Sequence, residues 1–366
     1  MKFSLVNIKA ARDLTRSGKL VEATALIQQM LSGQGTARAP TSGTAAWPDV
    51  GGPTETSKMK LARRTDARPE KGQPIPVSLL APGSTYWENK QYVGDAGQRS
   101  YKIFVPSHYA GEPMPLVMML HGCTQTPDDF AAGTQMNALG EEIGFLVAYP
   151  AQPASANSNA CWNWFSPADQ QKSKGEPAII AGIVAEIANN YAVDTSRVYV
   201  AGLSAGGAMA AVLGVTFPEV FAAIGVHSGL PCGAAKDIIS AFKAMKRGAS
   251  QGISDRAAQS VPTIVFHGDR DRTVNPVNAD NVLDQFDLNR ASAHYKTTSE
   301  KSSGGMEYSK SVHVDDSGKP MFEKWLVHRA GHAWSGGSAQ GSYTEPRGPD
   351  ASREMIRFFL HHRIAP

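Results

Sequence analysis

The stretch Arg197-Val-Tyr-Val-Ala-Gly-Leu-Ser-Ala-Gly-Gly-Ala-Met-Ala-Ala211 decides the fold of this chain. It begins with an apolar, β-branched run typical of a buried strand and continues into a small-residue helix, with Gly-x-Ser-x-Gly at the junction. In so tight a turn, side chains at Gly202 and Gly206 would collide with neighbouring backbone. The pattern predicts that Ser204 is a nucleophile at the N-terminus of a helix. The alternative is that Ser204 only caps that helix.

Short apolar runs alternate with helical patterns around this stretch, which indicates an α/β fold with a mostly parallel central sheet flanked by helices. Several runs are β-branched, as strands buried on both faces require. The predicted strands are Ser100–Pro106, Pro115–Leu120, Phe145–Tyr149, Arg197–Leu203, Ala222–Val226, Thr263–Phe266 and Phe322–Val327. The predicted helices are Pro177–Tyr191, Ala205–Phe217, Ala234–Arg247, Val277–Leu288 and Ser352–His362.

The beginning of the chain has a different character. From Ile8 to Leu31 apolar residues recur at helical intervals, which predicts a small helical appendage over residues 1–31. A single helical unit cannot bury its own face, so we expect it to dock on the main domain or on a partner. Residues 32–78 are rich in Gly, Ser, Thr, Ala and Pro and are predicted to be a flexible linker. The catalytic domain is then expected to span residues 79–366.

The formal net charge of +3 is unevenly distributed. Residues 1–78 carry 12 Lys and Arg against 6 Asp and Glu, and the remaining residues carry 24 against 27. Because the basic residues are scattered rather than clustered, no nucleic-acid partner is expected. No run approaches the roughly 18 consecutive apolar residues of a membrane-spanning helix, so no membrane span is expected.

The N-terminus and the cysteines bear on the compartment. The first residues lack the apolar core that a secretory signal places before its cleavage site, which favours a cytoplasmic protein. Cys123, Cys161 and Cys232 are too few for a disulfide framework and lack the paired spacing of a zinc site. They argue weakly for a reducing compartment. Neither a metal nor an organic cofactor is expected.

A serine hydroxyl needs a base that takes its proton, and the base needs a third group that orients it. Downstream of Ser204 the sequence offers Asp271 in a loop after a strand, and then His332 in a Gly-rich loop after the last strand. Ser, Asp, His is the chain order of the α/β-hydrolase fold, which is therefore the predicted fold class. Asp269 lies in the same loop as Asp271 and stays an alternative for the acid.

Other histidines near the C-terminus are given structural roles. His328, on the last strand, is expected to pack against its neighbours. His361 and His362 fall in the last helical turn, where a cation complements the helix dipole. None of these three residues is expected to take part in catalysis.

Acyl transfer also needs donors aimed at the position where a carbonyl oxygen becomes an oxyanion. The first candidate is the backbone N–H of Ala205, the residue after the nucleophile. The second should come from the loop after the strand 115–120, where the sequence reads His121-Gly122-Cys123 and the Cys123 amide is the candidate. The alternative is that His121-Gly122 forms only a tight turn.

Four motifs in one order carry a resemblance to a known family. They are His121-Gly122-Cys123, Gly202-Leu203-Ser204-Ala205-Gly206-Gly207-Ala208-Met209, His267-Gly268 followed by Asp271 and Val274, and Gly331-His332-Ala333-Trp334. From about Ser100 to His362 the chain resembles the esterase family that contains polyhydroxybutyrate depolymerase catalytic domains, feruloyl esterases and acetylxylan esterases. The resemblance implies a triad of Ser204, Asp271 and His332, and it leaves an extracellular location open.

The resemblance implies carboxylic esters as substrates. Hydroxyalkanoate oligomers or polymer are expected, and small aryl or acyl esters of the feruloyl or acetylxylan type are the alternative. A rival of another class is a non-catalytic protein that binds a granule or a partner on a hydrolase scaffold. A peptidase or an acyltransferase is a rival among enzymes, since the same triad serves both.

The segment Ala160–Phe165 is also similar to a part of that family near the active site. Trp162 and Trp164 are predicted either to offer flat walls to a substrate or to pack in the core, and Trp334 is a further substrate-binding candidate. The resemblance also leaves open a disulfide between Cys123 and Cys161 that would brace the oxyanion loop.

Overall fold

The architecture is taken from a computed structural model that describes residues 86–249, 259–287 and 295–364. The predicted helical segment 1–31 and the predicted linker 32–78 lie outside the described residues. The strands are β1 Tyr86–Gly94, β2 Gly97–Val105, β3 Met114–Leu120, β4 Leu146–Pro150, β5 Val193–Leu203, β6 Ala223–His227, β7 Thr263–Gly268, β8 Lys296–Lys301, β9 Glu307–Val314, β10 Pro320–Val327, β11 Trp334–Ser335 and β12 Thr344–Glu345.

Ten of the strands within these ranges form one sheet in the order β1-β2-β4-β3-β5-β6-β7-β10-β9-β8. The six central strands from β4 to β10 run parallel, and an antiparallel pair extends each side of the sheet. Because β5, β6, β7 and β10 are parallel neighbours, the loops at their carboxyl ends share one edge of the sheet. That edge is where open α/β sheets carry their ligand sites.

Helices cover both faces of the sheet. They are α1 Pro127–Thr134, α2 Met136–Ile143, α3 Gly175–Asn190, α4 Ala205–Thr216, α5 Ile238–Arg247, α6 Val277–Phe286 and α7 Ala351–Phe359, with a 3-10 turn at Pro167–Asp169. Side chains of one strand alternate between the two faces. On β3, Leu116, Met118 and Leu120 join the core under α3 to α6, whereas Val117 and Met119 join the core under α1, α2 and α7.

The predicted α/β-hydrolase class, with a mostly parallel sheet flanked by helices, is confirmed. Each strand and helix predicted after residue 78 has a counterpart in the structure, but several described elements were not predicted: β1, β8, β9, β11, β12, α1 and α2. One predicted helix, from Ala234, begins later at Ile238 because the Asp237 side chain accepts a hydrogen bond from Ser240 N and caps the helix there.

The prediction that His361 and His362 lie in the last helical turn is wrong, since α7 ends at Phe359. His362 is also unsuited to act as a cation, because it is 2% exposed and packs on Phe358. Burial lowers the pKa of His362 to about 3. Its ring is therefore neutral at physiological pH and serves as a packing group.

The turn between β5 and α4 is held by backbone packing. A Cβ at Gly206 would lie 2.0 Å from the carbonyl oxygen of Leu120 and 2.6 Å from that of His121. One at Gly202 would lie 2.3 Å from the carbonyl carbon of Gly206. These contacts leave no room for a side chain, and they bring the start of α4 against the end of β3.

We expect Gly206→Ala to lower the free energy of unfolding by at least about 2 kcal/mol, because backbone atoms cannot move aside as a flexible side chain could. Gly331→Ala is the matched control, since nothing lies within 4 Å of a Cβ at that position. Urea denaturation of both variants measures the difference. Equal midpoints for the two variants would show that the turn is not sterically constrained.

Candidate active site

Ser204 lies between the last residue of β5 and the first residue of α4. Its backbone has φ 57° and ψ −117°, a strained conformation for a residue with a side chain, and strain of this kind clusters at functional sites. The serine side chain makes no capping hydrogen bond to the helix. Ser204 is therefore not an ordinary N-cap, and its partly exposed hydroxyl is free of that role.

His332 and Asp271 are brought together from two loops. The Nδ1 atom of His332 lies 2.6 Å from Oδ2 of Asp271. Because an ionised carboxylate only accepts hydrogen bonds, Nδ1 carries the proton and Nε2 is left as an acceptor. Among the described residues the Ser204 hydroxyl makes no hydrogen bond, so it is not bonded to the His332 ring in this conformation.

Asp271 is buried, with 7% of the residue exposed. Its Oδ1 accepts hydrogen bonds from the backbone N–H groups of Thr273 and Val274, at 2.8 and 2.9 Å. Burial alone would raise the pKa of Asp271, but hydrogen bonds from His267 and His332 outweigh burial and hold the pKa well below its usual range. The carboxylate therefore stays ionised across the physiological range and orients His332.

Asp269, the alternative acid, has other partners. Its Oδ2 lies 3.1 Å from Nδ1 of His328, and its Oδ1 accepts from the backbone N–H of Arg329. The structure thus brings Asp271, and not Asp269, to His332. His328 is not on the last strand as predicted, since β10 ends at Val327, and its ring is part-exposed rather than packed.

His227 is a buried residue that sequence reasoning missed. Its carbonyl oxygen accepts the Ser204 N–H at 2.9 Å, and its Nε2 accepts the Ser335 N–H at 3.0 Å. Its ring stacks between Phe266 and Trp334. Burial lowers the pKa of His227 well below its usual value, so the ring remains a neutral acceptor. His227 therefore connects the backbone of Ser204 to the loop that carries His332.

The loop after β3 runs beside Ser204. A Cβ at Gly122 would lie 3.5 Å from the Leu203 carbonyl oxygen and 3.7 Å from Cβ of Ser204. The Gly122 N–H is committed to Oε1 of Gln125 at 2.9 Å. The Cys123 N–H donates no hydrogen bond to other described residues, and Ala205 begins a helix, so its N–H has no intrahelical acceptor. Two backbone donors are thus available near Ser204.

Cys123 and Cys161 form a disulfide, with their Cα atoms 4.2 Å apart. The pairing that the sequence left open is therefore present in the structure, and it removes the weak argument from cysteine usage for a reducing compartment. The bond joins the loop after β3 to the loop after β4. A backbone hydrogen bond from Thr124 N to the carbonyl of Asn159, at 2.8 Å, joins the same two loops.

The three tryptophans that were predicted to bind substrate are buried in the core. Trp162, Trp164 and Trp334 are 0%, 5% and 1% exposed, so they pack in the core rather than forming open walls. Trp162 Nε1 donates to the carbonyl of His121, and Trp334 Nε1 donates to Oγ of Ser352. The prediction that these indoles contact substrate is corrected accordingly, because all three are buried and the N–H groups of Trp162 and Trp334 already have partners inside the protein.

An exposed aromatic residue lies beside the same loop. Tyr343 is 48% exposed, has a positive φ of 52°, and places its hydroxyl 3.3 Å from Oγ1 of Thr124. Sequence reasoning missed it, because no motif marks Tyr343 and its neighbour is more than two hundred residues away along the chain. Tyr343 is thus an exposed aromatic side chain in contact with the loop after β3.

Metal clusters and membrane-spanning helices are both absent from the described residues. No group of three or more His, Cys, Asp or Glu side chains in ranges 86–249, 259–287 and 295–364 is placed to hold a metal ion. Within the same ranges, no helix combines the length and the apolar character that crossing a bilayer requires.

Comparisons with known proteins identify the family of this chain. The family model described as Esterase PHB depolymerase matches residues 99–307, which is more than half of the chain. The chain belongs to this esterase family. The predicted resemblance to Esterase PHB depolymerase proteins is therefore confirmed, and the matched region includes Ser204 and Asp271.

Individual relatives of the Esterase PHB depolymerase family give the same picture. Poly(3-hydroxyalkanoate) depolymerase C of Paucimonas lemoignei is 34% identical over 229 residues, covering 60% of this chain and 54% of that protein. The probable acetylxylan esterase A of Aspergillus fumigatus is 38% identical over 132 residues, covering 36% of this chain and 34% of that protein. The matches therefore span about half or less of these relatives' length.

Among solved structures, the acetyl xylan esterase from Aspergillus awamori has a similar fold. The TM-score is 0.61 at 23% sequence identity, and the match covers 75% of this chain and 99% of that one. At this level of identity the comparison supports the fold of this chain and not its substrate.

We expect removal of the disulfide, in the double variant Cys123→Ala with Cys161→Ala, to lower the free energy of unfolding. The two cysteines are 38 residues apart, and closing a loop of that size stabilises a protein by about 3–4 kcal/mol in the chain-entropy model. Urea denaturation measures the loss. Reduction of the wild-type protein should reproduce the shift, and an unchanged midpoint after verified reduction would contradict it.

Proposed function

We propose that this protein is a serine ester hydrolase in which Ser204 is the nucleophile, His332 the base and Asp271 the orienting acid. The observation that carries the proposal is the hydrogen bond of 2.6 Å between His332 and the buried Asp271, at the sheet edge that also bears the strained Ser204. Membership of an esterase family supports it.

The first half of the reaction follows from these positions. Nε2 of His332 accepts the Ser204 proton while Oγ of Ser204 attacks the ester carbonyl carbon. The proposal requires a hydrogen bond between Oγ of Ser204 and Nε2 of His332 in the substrate complex, where such contacts often tighten. The N–H groups of Cys123 and Ala205 donate to the oxyanion, each typically contributing a factor on the order of 10²–10³ in rate.

Collapse of the tetrahedral intermediate releases the alcohol, which takes its proton from the imidazolium of His332. Water then attacks the acyl-enzyme, with His332 again as base, and the acid product leaves. Asp271 stabilises the charged ring in both halves because its own pKa is held well below its usual range. The reaction needs no metal or organic cofactor.

The substrates proposed first are hydroxyalkanoate oligomers, or the polymer. The relative named poly(3-hydroxyalkanoate) depolymerase C, matched over 229 residues, supports this class. A second candidate is a small acyl or aryl ester, which the acetylxylan esterase relatives support. A non-catalytic binding protein is disfavoured, since Asp271 and His332 are paired for proton transfer.

The first test measures hydrolysis of 3-hydroxybutyrate oligomers, methyl ferulate, acetylated xylan and a short p-nitrophenyl ester. We expect turnover of at least one oligomer and loss of all turnover in Ser204→Ala, at least about 10³-fold. Circular dichroism and thermal unfolding check that the variant folds. Residual turnover equal to wild type in a folded Ser204→Ala protein would refute the proposal, and the preferred ester decides between the two substrate classes.

The second test compares two aspartates of one loop. Asp271→Asn should lower kcat by about 10⁴-fold, because an amide can hold the ring in the wrong tautomer. Asp269→Asn is the matched control and should change kcat by less than about twofold, since its partners are His328 and Arg329. If both variants lost activity equally, the assignment of the acid would be wrong.

Asp271→Asn should also change how the free energy of unfolding depends on pH. A carboxylate whose pKa is depressed by folding adds stability above its unfolded pKa of about 4, and that contribution is lost as the pH falls further. The stability gap between wild type and Asp271→Asn should therefore be full at neutral pH and shrink below about pH 4. Urea midpoints across that range measure the gap.

A further inference from the structure

A buried carboxylate outside the proposed triad is connected to the loop after β3, which carries the Cys123 amide. Glu176, in the first turn of α3, is 3% exposed. Its Oε2 accepts the backbone N–H of Asn163 at 2.7 Å, and its Oε1 accepts Nδ2 of Asn163 at 2.8 Å and Nε2 of Gln152. The mechanism above gives this group no task, yet burying a carboxylate is costly unless its partners repay the lost hydration.

Gln152 connects Glu176 to the loop that follows β3. Its backbone N–H donates to Nε2 of His121 at 3.1 Å, and its side-chain Nε2 donates to the Cys161 carbonyl at 2.9 Å. Because His121 Nε2 accepts, Nδ1 carries the ring proton and donates to the Gly122 carbonyl at 2.8 Å. A continuous buried chain of hydrogen bonds thus runs from Glu176 to the residue before Cys123.

The same carboxylate also reaches the other half of the disulfide. Asn163, which Glu176 binds twice, lies two residues after Cys161. Gln152 binds the carbonyl of Cys161 itself. Glu176 is therefore linked to the segments that carry both cysteines. Gln152 and His121 connect it to the segment before Cys123, and Asn163 connects it to the segment after Cys161.

Few charged groups face Glu176. Arg99, on β2, is 5% exposed and places Nη2 3.8 Å from Oε1 of Glu176. Asp169, in the 3-10 turn, accepts a hydrogen bond from the backbone N–H of Glu176. His121 faces the chain from the loop after β3, and burial lowers its pKa to about 4, so it is neutral. Burial raises the pKa of Glu176 to about 7, against the hydrogen bond from Asn163, which lowers it.

We propose that Glu176 is a positioning residue that holds the Cys123 amide in the place where it donates to the oxyanion, acting through Gln152, His121 and the disulfide loop. This inference rests on the proposed function. A donor shifted by even about 1 Å from its productive position can cost about 10²-fold in rate, so the supports of this loop matter for turnover. Substrate contact plays no part in the role of Glu176.

The test is the isosteric variant Glu176→Gln. Its amide turns a donor toward Nε2 of Gln152 or toward Asn163, where the carboxylate accepts, so the hydrogen-bond chain breaks without a change of volume. We expect kcat to fall by about 10- to 100-fold while KM stays within about twofold, because a transition-state donor is displaced. A trifluoromethyl ketone inhibitor, whose adduct carries an oxyanion, should lose affinity in proportion to kcat.

Glu186→Gln is the matched control. Glu186 lies on the same helix and accepts a hydrogen bond from the Tyr101 hydroxyl at 2.8 Å, away from the oxyanion loop. Both kcat and KM of this variant should stay within about twofold of wild type. A kcat for Glu176→Gln as high as that of the control, or a change in KM alone, would overturn the proposal.

Gln152→Met keeps the inference testable if Glu176→Gln does not fold. It removes both side-chain hydrogen bonds of Gln152 at nearly constant volume, and it should lower kcat in the same way. An unchanged kcat in a folded Gln152→Met protein would count against the chain of hydrogen bonds. Failure of the proposed function itself is distinguishable, because wild type would then show no hydrolysis that depends on Ser204.

Discussion

The close approach of the start of α4 to the ends of β3 and β5 is the constraint on which the rest of the structure depends. Backbone atoms meet at Gly202 and Gly206 at distances that exclude a Cβ. This packing forces Ser204 into a conformation with positive φ, which costs about 1–3 kcal/mol for a residue with a side chain. The surrounding sheet and helix α4, in which every residue but Val215 is buried, offset that cost by burying apolar surface. The strained backbone conformation of Ser204 therefore persists because many surrounding contacts hold it in place.

The parallel sheet then collects groups that are distant in sequence. The loops after β5, β7 and β10 carry Ser204, Asp271 and His332. His227, at the end of β6, stacks its neutral ring between Phe266 and Trp334. A Cβ at Gly268 would lie 2.4 Å from the Ala330 carbonyl oxygen, so the loops after β7 and β10 are in direct backbone contact. The positions of the three side chains are therefore fixed by the ends of the parallel strands.

The sequence was sufficient for the parts of the molecule that have a local signature. The Gly-x-Ser-x-Gly stretch specified a strand, a turn and a helix at once, and the buried strands were apolar enough to be recognised. β8, with the sequence Lys-Thr-Thr-Ser-Glu-Lys, was missed because an exposed edge strand shows no apolar pattern. The eight-residue helices α1 and α2 offered too few turns for a period to emerge.

Roles that depend on three-dimensional neighbours could not be predicted from the sequence. Trp162 resembled a ligand wall, but its indole N–H is satisfied by a backbone carbonyl 41 residues away along the chain. Glu176 lies in a helix whose sequence carries no functional motif. Only the fold shows that its carboxylate is buried against Gln152 and Asn163. Hydrogen-bond partners of buried polar groups are set by tertiary structure, and no spacing rule encodes them.

The two outermost strands of the sheet have a consequence for the behaviour of the protein in concentrated solution. Among the residues that the structure describes, β1 and β8 each have a neighbouring strand on one side only. Both carry charged side chains, with Glu88 and Lys90 on β1 and Lys296, Glu300 and Lys301 on β8. Stacking a second molecule's strand against either one would strip water from these charges, so edge-to-edge aggregation into a continuous intermolecular sheet is discouraged.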